Sequence, residues 1–257
     1  MIVLSADTSA KTVSVCVCSF RNGELLPLAR AAASSTLTRS GNLLPMIDFC
    51  LRGADLTWEN VDAAVVSVGP GSFTGVRVGV SAFKGLGFAR QDMPFIGVST
   101  LEALAYNLVS YPAGSILFPV MDARRAQFYN AAFASTGKGT VKRLCDDRLE
   151  SFDTLYHELK TRYPAKRIRL VGDGAELFYE KYRALGDTSP VVSLCDPRDR
   201  DEDAYGVARC AVRQLAEIDK NKSNAFPSAL LEPVYLRASQ AERERKDKND
   251  QSSNTEK

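Results

Sequence analysis

The segment Gly69-Pro-Gly-Ser-Phe-Thr-Gly-Val-Arg-Val-Gly-Val80 is where residue types and spacing come nearest to a binding device. It follows an apolar run, Ala63 to Val68, that reads as a buried strand. It leads into a helical pattern lasting to about Arg90. A glycine-rich loop between strand and helix suggests phosphate binding, because unpaired N–H groups and the helix dipole converge on one point. The known nucleotide loops fit it poorly. A P-loop needs Lys and then Ser or Thr after its second glycine, and none follows here. A dinucleotide fingerprint needs its third glycine where Thr74 stands, and the next strand, Phe95 to Val98, is not followed by an acidic residue. Pro70-Gly71 has the chemistry of a type II turn, with proline fixing φ and Gly71 supplying a positive φ. Ser72 or Thr74 is then the N-cap of the helix.

Other chemistry is scarce. His157 is the only histidine. That excludes a two-histidine metal site and leaves a Ser-His-Asp or Cys-His arrangement only through His157, which has no nucleophile near it in sequence. Six cysteines, Cys16, Cys18, Cys50, Cys145, Cys195 and Cys210, form no C-x-x-C pair and read as buried thiols in a reducing compartment. The net charge of +2 is too small to argue for nucleic-acid binding. The run Lys160, Arg162, Lys166, Arg167 and Arg169 reads first as a solvated face and second as a tRNA contact. No apolar run approaches the roughly 20 residues of a membrane span, and the chain opens directly on a strand, so a cytoplasmic location without membrane contact is expected.

The helix after the glycine-rich loop carries an unusual burden. Gly75, Gly79, Gly85 and Gly87 fall inside it, and each interior glycine costs about 1 kcal/mol relative to alanine. At about 100° per residue, Gly75, Gly79 and Ala82 share one stripe, flanked by Val76, Val80 and Phe83. A small-residue stripe lets another backbone come close. That backbone belongs either to the chain's own sheet or to a second protein.

The remaining elements repeat. Strands are expected at Ile2–Ala6, Thr12–Phe20 and Leu25–Ala33, with Arg21-Asn-Gly23 as a hairpin turn. An amphipathic helix capped near Ser40 or Asn42 then presents Leu43, Ile47, Cys50 and Leu51. Strand Val61–Val68, the glycine helix, strand Phe95–Val98 and a helix from Thr100 to about Leu108 complete the unit. After Pro112 the order restarts, with Asp122 aligned on Asp7. Strands Ser115–Met121, Gln127–Ala134 and Val141–Leu149 precede helix Ser151–Arg162. Strand Ile168–Gly172, helix Ala175–Leu185, strand Val191–Leu194 and helix Ala204–Ile218 follow. A duplicated βββαβαβα unit implies two lobes, residues 1–110 and 111–237, with a cleft between them. Residues 238–257 are charged, lack an apolar pattern and are expected to be disordered.

This duplicated order, with Ala6-Asp-Thr-Ser9 after the first strand, resembles the actin/Hsp70/sugar-kinase superfamily: an α/β, two-lobed, actin-like (ribonuclease H-like) ATPase fold. The Gly69–Arg77 motif narrows the resemblance to the TsaB (YeaZ) family. Val98-Ser-Thr-Leu-Glu-Ala-Leu104, Asp122-Ala-Arg-Arg125, Val171-Gly-Asp-Gly174 and Pro233-Val-Tyr-Leu236 add to it.

The resemblance implies a non-catalytic subunit with no catalytic and no metal-ligating residues. Its partners would be a TsaD-like catalytic subunit and a TsaE-like ATPase. The assembly would transfer threonylcarbamoyl from its adenylate to N6 of adenosine 37 in tRNAs reading codons that begin with A. It implies a partner interface on the first helix (Met46, Ile47, Cys50) and on the glycine helix (Val76, Gly79, Val80, Phe83), and a homodimer through similar surfaces when the chain is alone. The glycine-rich motif itself comprises Gly69, Pro70, Gly71, Ser72, Thr74, Gly75 and Arg77. In the superfamily, phosphates sit on two cleft turns. Here Asp7, Thr8 and Ser9 form one and Asp122 begins the other, and both lack the glycine that lets backbone approach a phosphate. The site is therefore expected to be vestigial, with no cofactor on this chain alone and ATP or ADP at the interface of the assembled complex. Arg39 stands where many family members carry histidine. The alternative reading is an actin-like phosphotransferase or ATPase using Asp7 and Asp122 around magnesium. A peptidase, a label attached to the wider family, lacks both metal site and triad.

Overall fold

The computed structural model describes residues 1–34, 39–221 and 227–237. The expected tail, 238–257, lies outside the described residues. Two sheets share one plan. The first runs β3-β2-β1-β4-β5, formed by β1 (Ile2–Asp7), β2 (Thr12–Arg21), β3 (Glu24–Ser34), β4 (Ala63–Ser67) and β5 (Phe95–Val98). The second runs β10-β7-β6-β11-β12, formed by β6 (Ile116–Asp122), β7 (Gln127–Asn130), β10 (Arg148–Ser151), β11 (Arg167–Val171) and β12 (Val191–Leu194). In each sheet the first strand pairs antiparallel with the second and parallel with the fourth, so the repeat read from Asp7 and Asp122 is a repeat of topology.

Two expected strands are broken. Gln127–Ala134 divides into β7 and β8 (Phe133–Ser135), and Val141–Leu149 divides into β9 (Val141–Arg143) and β10. The gap at Ala131 and Ala132 lies opposite Phe118 and Pro119 of β6. Proline has no N–H to give the ladder. The Asn130 side-chain amide donates to the Pro119 carbonyl at 2.7 Å and bridges the interruption.

Helices cover both faces of both sheets. On one face of the first sheet lie α1 (Arg39–Gly53) and α2 (Phe73–Ala89), packed on Val13, Val15, Val17, Ala64 and Val66. On the outer face of the second lie α4 (Phe152–Arg162) and α5 (Ala175–Ala184), packed on Phe118, Val120, Ile168 and Leu170. The inner faces are exchanged. Helix α3 (Thr100–Asn107), from the first half of the chain, covers Leu117, Met121 and Val171 of the second sheet. Helices α6 (Ala204–Cys210) and α7 (Val212–Asn221), from the second half, cover Val3, Cys16, Cys18, Ala63 and Val65 of the first. Ser5 and Ser14, buried among these residues, hydrogen-bond the carbonyl and amide of Ala204 and pin the start of α6.

The division at residues 1–110 and 111–237 therefore needs correction. Ala204 to Ile218 return to the first lobe, and most of Thr100–Asn107 packs on the second sheet while Ala103 stays in the first-sheet core. Periodicity identifies the apolar face of a helix but not the sheet that receives it. The expected helix Ala204–Ile218 is also interrupted at Ala211.

Candidate functional site

The glycine-rich loop is built around the chain's own first turn. Gly69 has φ +111°, and the Val234 carbonyl oxygen lies 2.6 Å from where a Cβ would stand. The Gly69–Pro70 bond is cis, and Gly71 is not in the left-handed region, so the expected type II turn is absent. Gly71 is small for another reason: a Cβ there would meet the Ser9 carbonyl oxygen at 2.5 Å. The Ser72 amide donates to that same carbonyl at 2.6 Å, and the Ser72 hydroxyl caps α2 by accepting from the Gly75 amide at 3.3 Å. A Cβ on Gly75 would stand 2.0 Å from the Thr8 carbonyl oxygen, and one on Gly79 2.5 Å from Thr8 Oγ1. Thr8 Oγ1 donates to the Gly75 carbonyl at 2.8 Å. Gly71, Gly75 and Gly79 thus form a track for the chain's own Thr8 and Ser9.

The second lobe repeats the device. Gly172 has φ +104°, and a Cβ on it would meet the Val120 carbonyl oxygen at 2.6 Å. The Asp122 amide donates to Asp173 Oδ1 at 3.0 Å.

Between the two turns lies a cleft of about 520 Å³. Asp7, two residues before the lining residue Ser9, is buried and does not itself line the cleft. One oxygen accepts from the Ser9 amide and hydroxyl at 2.8 and 2.7 Å, and the other has no partner among the described residues. Burial raises its pKa, outweighing the two bonds from Ser9. Asp122 is capped by its own turn: it accepts from the Arg124 amide at 2.8 Å and pairs with the Arg124 guanidinium at 3.1 Å. Behind the turns, Asp173 is raised by burial and by the Asp122 charge. Glu202 is raised further, by burial and by Asp173 and Asp7. Among the described residues, no three His, Cys, Asp or Glu side chains group so as to hold a metal ion. Lys11, Arg124, Arg125 and Arg237 line the cleft. Arg124, Arg125 and Ala126 have φ of 63°, 56° and 57°, three successive left-handed residues without a glycine.

A second concavity, of about 470 Å³, lies between α1 and α2. Its apolar wall comes from Leu43, Leu44, Val78 and Ala82, and its polar edge from Thr74, Arg77 and Ser81. Leu44 is 51% exposed, and Phe49 and Phe88 on the same two helices are 68% and 82% exposed. This corrects the expected interface residues. Ile47, Cys50, Val76, Gly79, Val80 and Phe83 are buried in the chain's own core, and only Met46 reaches the surface. The inward stripe of an amphipathic helix is the apolar signal that a sequence gives most clearly. The surplus apolar residues beside that stripe, Leu44, Phe49, Val78 and Phe88, carried the information about an outer face.

Other candidates are placed more simply. His157 is exposed on α4. Within the basic run, Lys160 pairs with Asp187 at 2.7 Å, Arg162 with Glu158 at 3.4 Å, and Arg169 lies over the Tyr111 ring. Of the five residues of this run, Lys166 and Arg167 are exposed and form no ion pair among the described residues. The side chain of Arg39 lies outside the described residues. No helix among those described is long and apolar enough to cross a membrane.

Residues 37–251 match the family model described as TsaD, tRNA N6-adenosine threonylcarbamoyltransferase. The tRNA threonylcarbamoyladenosine biosynthesis protein TsaB of Haemophilus influenzae is 35% identical over 129 residues, 50% of this chain and 52% of that protein. The Bacillus subtilis protein of the same name is 32% identical over 133 residues, 52% of this chain and 55% of that protein. The chain spans about half the length of the curated relatives it matches. YeaZ from Pseudomonas aeruginosa superposes with a TM-score of 0.72 at 23% identity, covering 91% of this chain and 99% of that one, which supports the fold. With the TsaD family model matching most of its length, the chain belongs to that family; it is similar to proteins named TsaB, and its fold is the one seen in YeaZ.

Proposed function

We propose that this chain is a non-catalytic partner subunit in tRNA threonylcarbamoyladenosine biosynthesis. It docks a TsaD-like catalytic subunit, with a TsaE-like ATPase joining, in the complex that transfers threonylcarbamoyl from its adenylate to N6 of adenosine 37. The single observation that carries this reading is the use of the glycine track. Both cleft turns are packed and hydrogen-bonded by the chain's own loops, while an apolar groove between α1 and α2 is filled by none of the described residues. Binding energy is then concentrated at the groove, in anchors such as Leu44 and Val78 that lose water on contact. ATP or ADP, if it enters, does so at the interface of the assembled complex, and tRNA is met through the complex.

Gly79→Arg is unfit as a test, because Gly79 lies against Thr8 and the variant would disturb the fold. The groove is instead altered at Leu44→Asp and Ser81→Arg, with Leu185→Asp, exposed on the second lobe, as control. Titration of the full-length chain against a TsaD-like subunit should give at least about tenfold weaker binding for the groove variants, the usual loss at an interface anchor. The control should bind normally. Unchanged affinity in both groove variants overturns the docking assignment. Turnover of ATP by the isolated chain that Asp7→Asn abolishes would establish the ATPase reading instead.

A further inference from the structure

Residues 227–237 cross from the first lobe to the second, and every contact along the way is specific. Leu231 is buried in the first-lobe core, and Ser228 sits where a side chain on Gly87 would stand. The Val234 amide donates to the Val68 carbonyl at 2.7 Å, in line with the end of β4. Tyr235 stacks on Phe73 with ring centroids 4.8 Å apart. Arg77 lies over the same Phe73 ring at 3.8 Å and donates to the Tyr235 hydroxyl at 2.8 Å. Two residues later Arg237 reaches the second lobe. It donates to the Ala123 carbonyl at 2.7 Å and to the Gln127 side-chain oxygen. Ala123 and Gln127 are the two ends of the left-handed turn Arg124–Ala126.

We infer that Pro233–Arg237 is an inter-lobe latch: it is anchored on the first lobe through Tyr235, and through Arg237 it clamps both ends of the second-lobe cleft turn. A turn of three left-handed residues that are not glycine persists only when its surroundings over-determine it. Arg237 supplies that constraint with a planar fork of donors spanning the turn. The latch also forms one wall of the cleft. It therefore adds a tie between the lobes at the cleft, beside the exchanged helices α3 and α6, whatever partner the groove takes.

The test is hydrogen exchange on the full-length chain, wild type against Arg237→Gln, Gln127→Ala and the double variant. Loss of a charge-assisted bond should speed exchange in the peptide covering residues 122–130 by about tenfold or more in Arg237→Gln. A smaller rise is expected in Gln127→Ala. The double variant should match Arg237→Gln, because both singles remove parts of one clamp. Arg237→Lys should restore part of the protection. A change under about twofold in Arg237→Gln overturns the inference, as does a double variant equal to the product of the singles. Loosening that spreads to β1 and β4 would overturn it too, since the segment would then be a prop of the first-lobe core.

Discussion

Placing alanine at two glycines of α2 should move stability in opposite directions. At Gly75 the added methyl would stand 2.0 Å from the Thr8 carbonyl oxygen, whereas ordinary contact begins at 3.4 Å. Helix and turn must therefore part by about 1.4 Å, the difference between those two distances. Forcing them apart costs about 1–3 kcal/mol of overpacking. It also breaks Thr8 Oγ1 to Gly75 and Ser72 to Ser9, at about 1 kcal/mol each. Against this, alanine recovers about 1 kcal/mol of helix preference. The net loss for Gly75→Ala is about 2–4 kcal/mol. At about 2–4 °C per kcal/mol for a chain of this size, Tm falls by about 4–16 °C. Gly85 has nothing within 4 Å of its Cβ position, so Gly85→Ala keeps the whole gain and raises Tm by about 2–4 °C. Urea unfolding followed by circular dichroism, with the midpoint and slope of each variant, measures both. If the two substitutions shift the midpoint the same way, the account of the glycine stripe as an internal track is wrong.

Three other outcomes follow from the same geometry. Glu202 has its pKa raised well above the ordinary 4.5 by burial and by Asp173 and Asp7. The folded state therefore holds its proton more tightly than the unfolded chain, and the stability this confers is present below 4.5 and is lost as pH rises towards the folded pKa. Glu202→Gln should flatten the fall in urea midpoint as pH is raised above 4.5, and parallel profiles would show that the group does not titrate in this way. Arg77→Ala removes a cation–π contact and the bond to Tyr235, so it should destabilise by about 1–3 kcal/mol in a melt; Arg77→Lys should recover part of that loss. Leu44→Ser and Phe49→Ser, both at exposed positions, should leave stability within about 0.5 kcal/mol while reducing self-association in sedimentation; a large drop in Tm would mean that these side chains serve the core instead.

Much of the architecture was legible because it rests on local pattern. Alternation placed Val13, Val15 and Val17 on one face of β2 and Cys16 and Cys18 on the other, and the two cores use those faces. The turn at Asn22 and Gly23 adopts positive φ at both residues, as that pair requires. Ser72 and Ser151 cap the helices that follow them. Pro119 is visible in the sequence, yet its effect fell on the neighbouring strand, which divides opposite it. The left-handed turn at Arg124–Ala126 left no local sign, since neither arginine nor alanine favours that conformation.

The amino-acid sequence by itself determined the duplicated order of elements, the two turns beginning at Asp7 and Asp122, and the presence of a helix whose glycines demanded a close neighbour. Only the tertiary structure decided who that neighbour is. Gly75 and Gly79 receive Thr8, Gly87 receives Ser228 and Gly85 meets nothing; α3 and α6 trade sheets, and the outward groove belongs to Leu44 and Val78 in place of Ile47 and Val80. The physical reason is that spacing along a chain fixes which residues share a face, whereas the identity of the surface opposite depends on how distant segments pack and on which polar groups they satisfy.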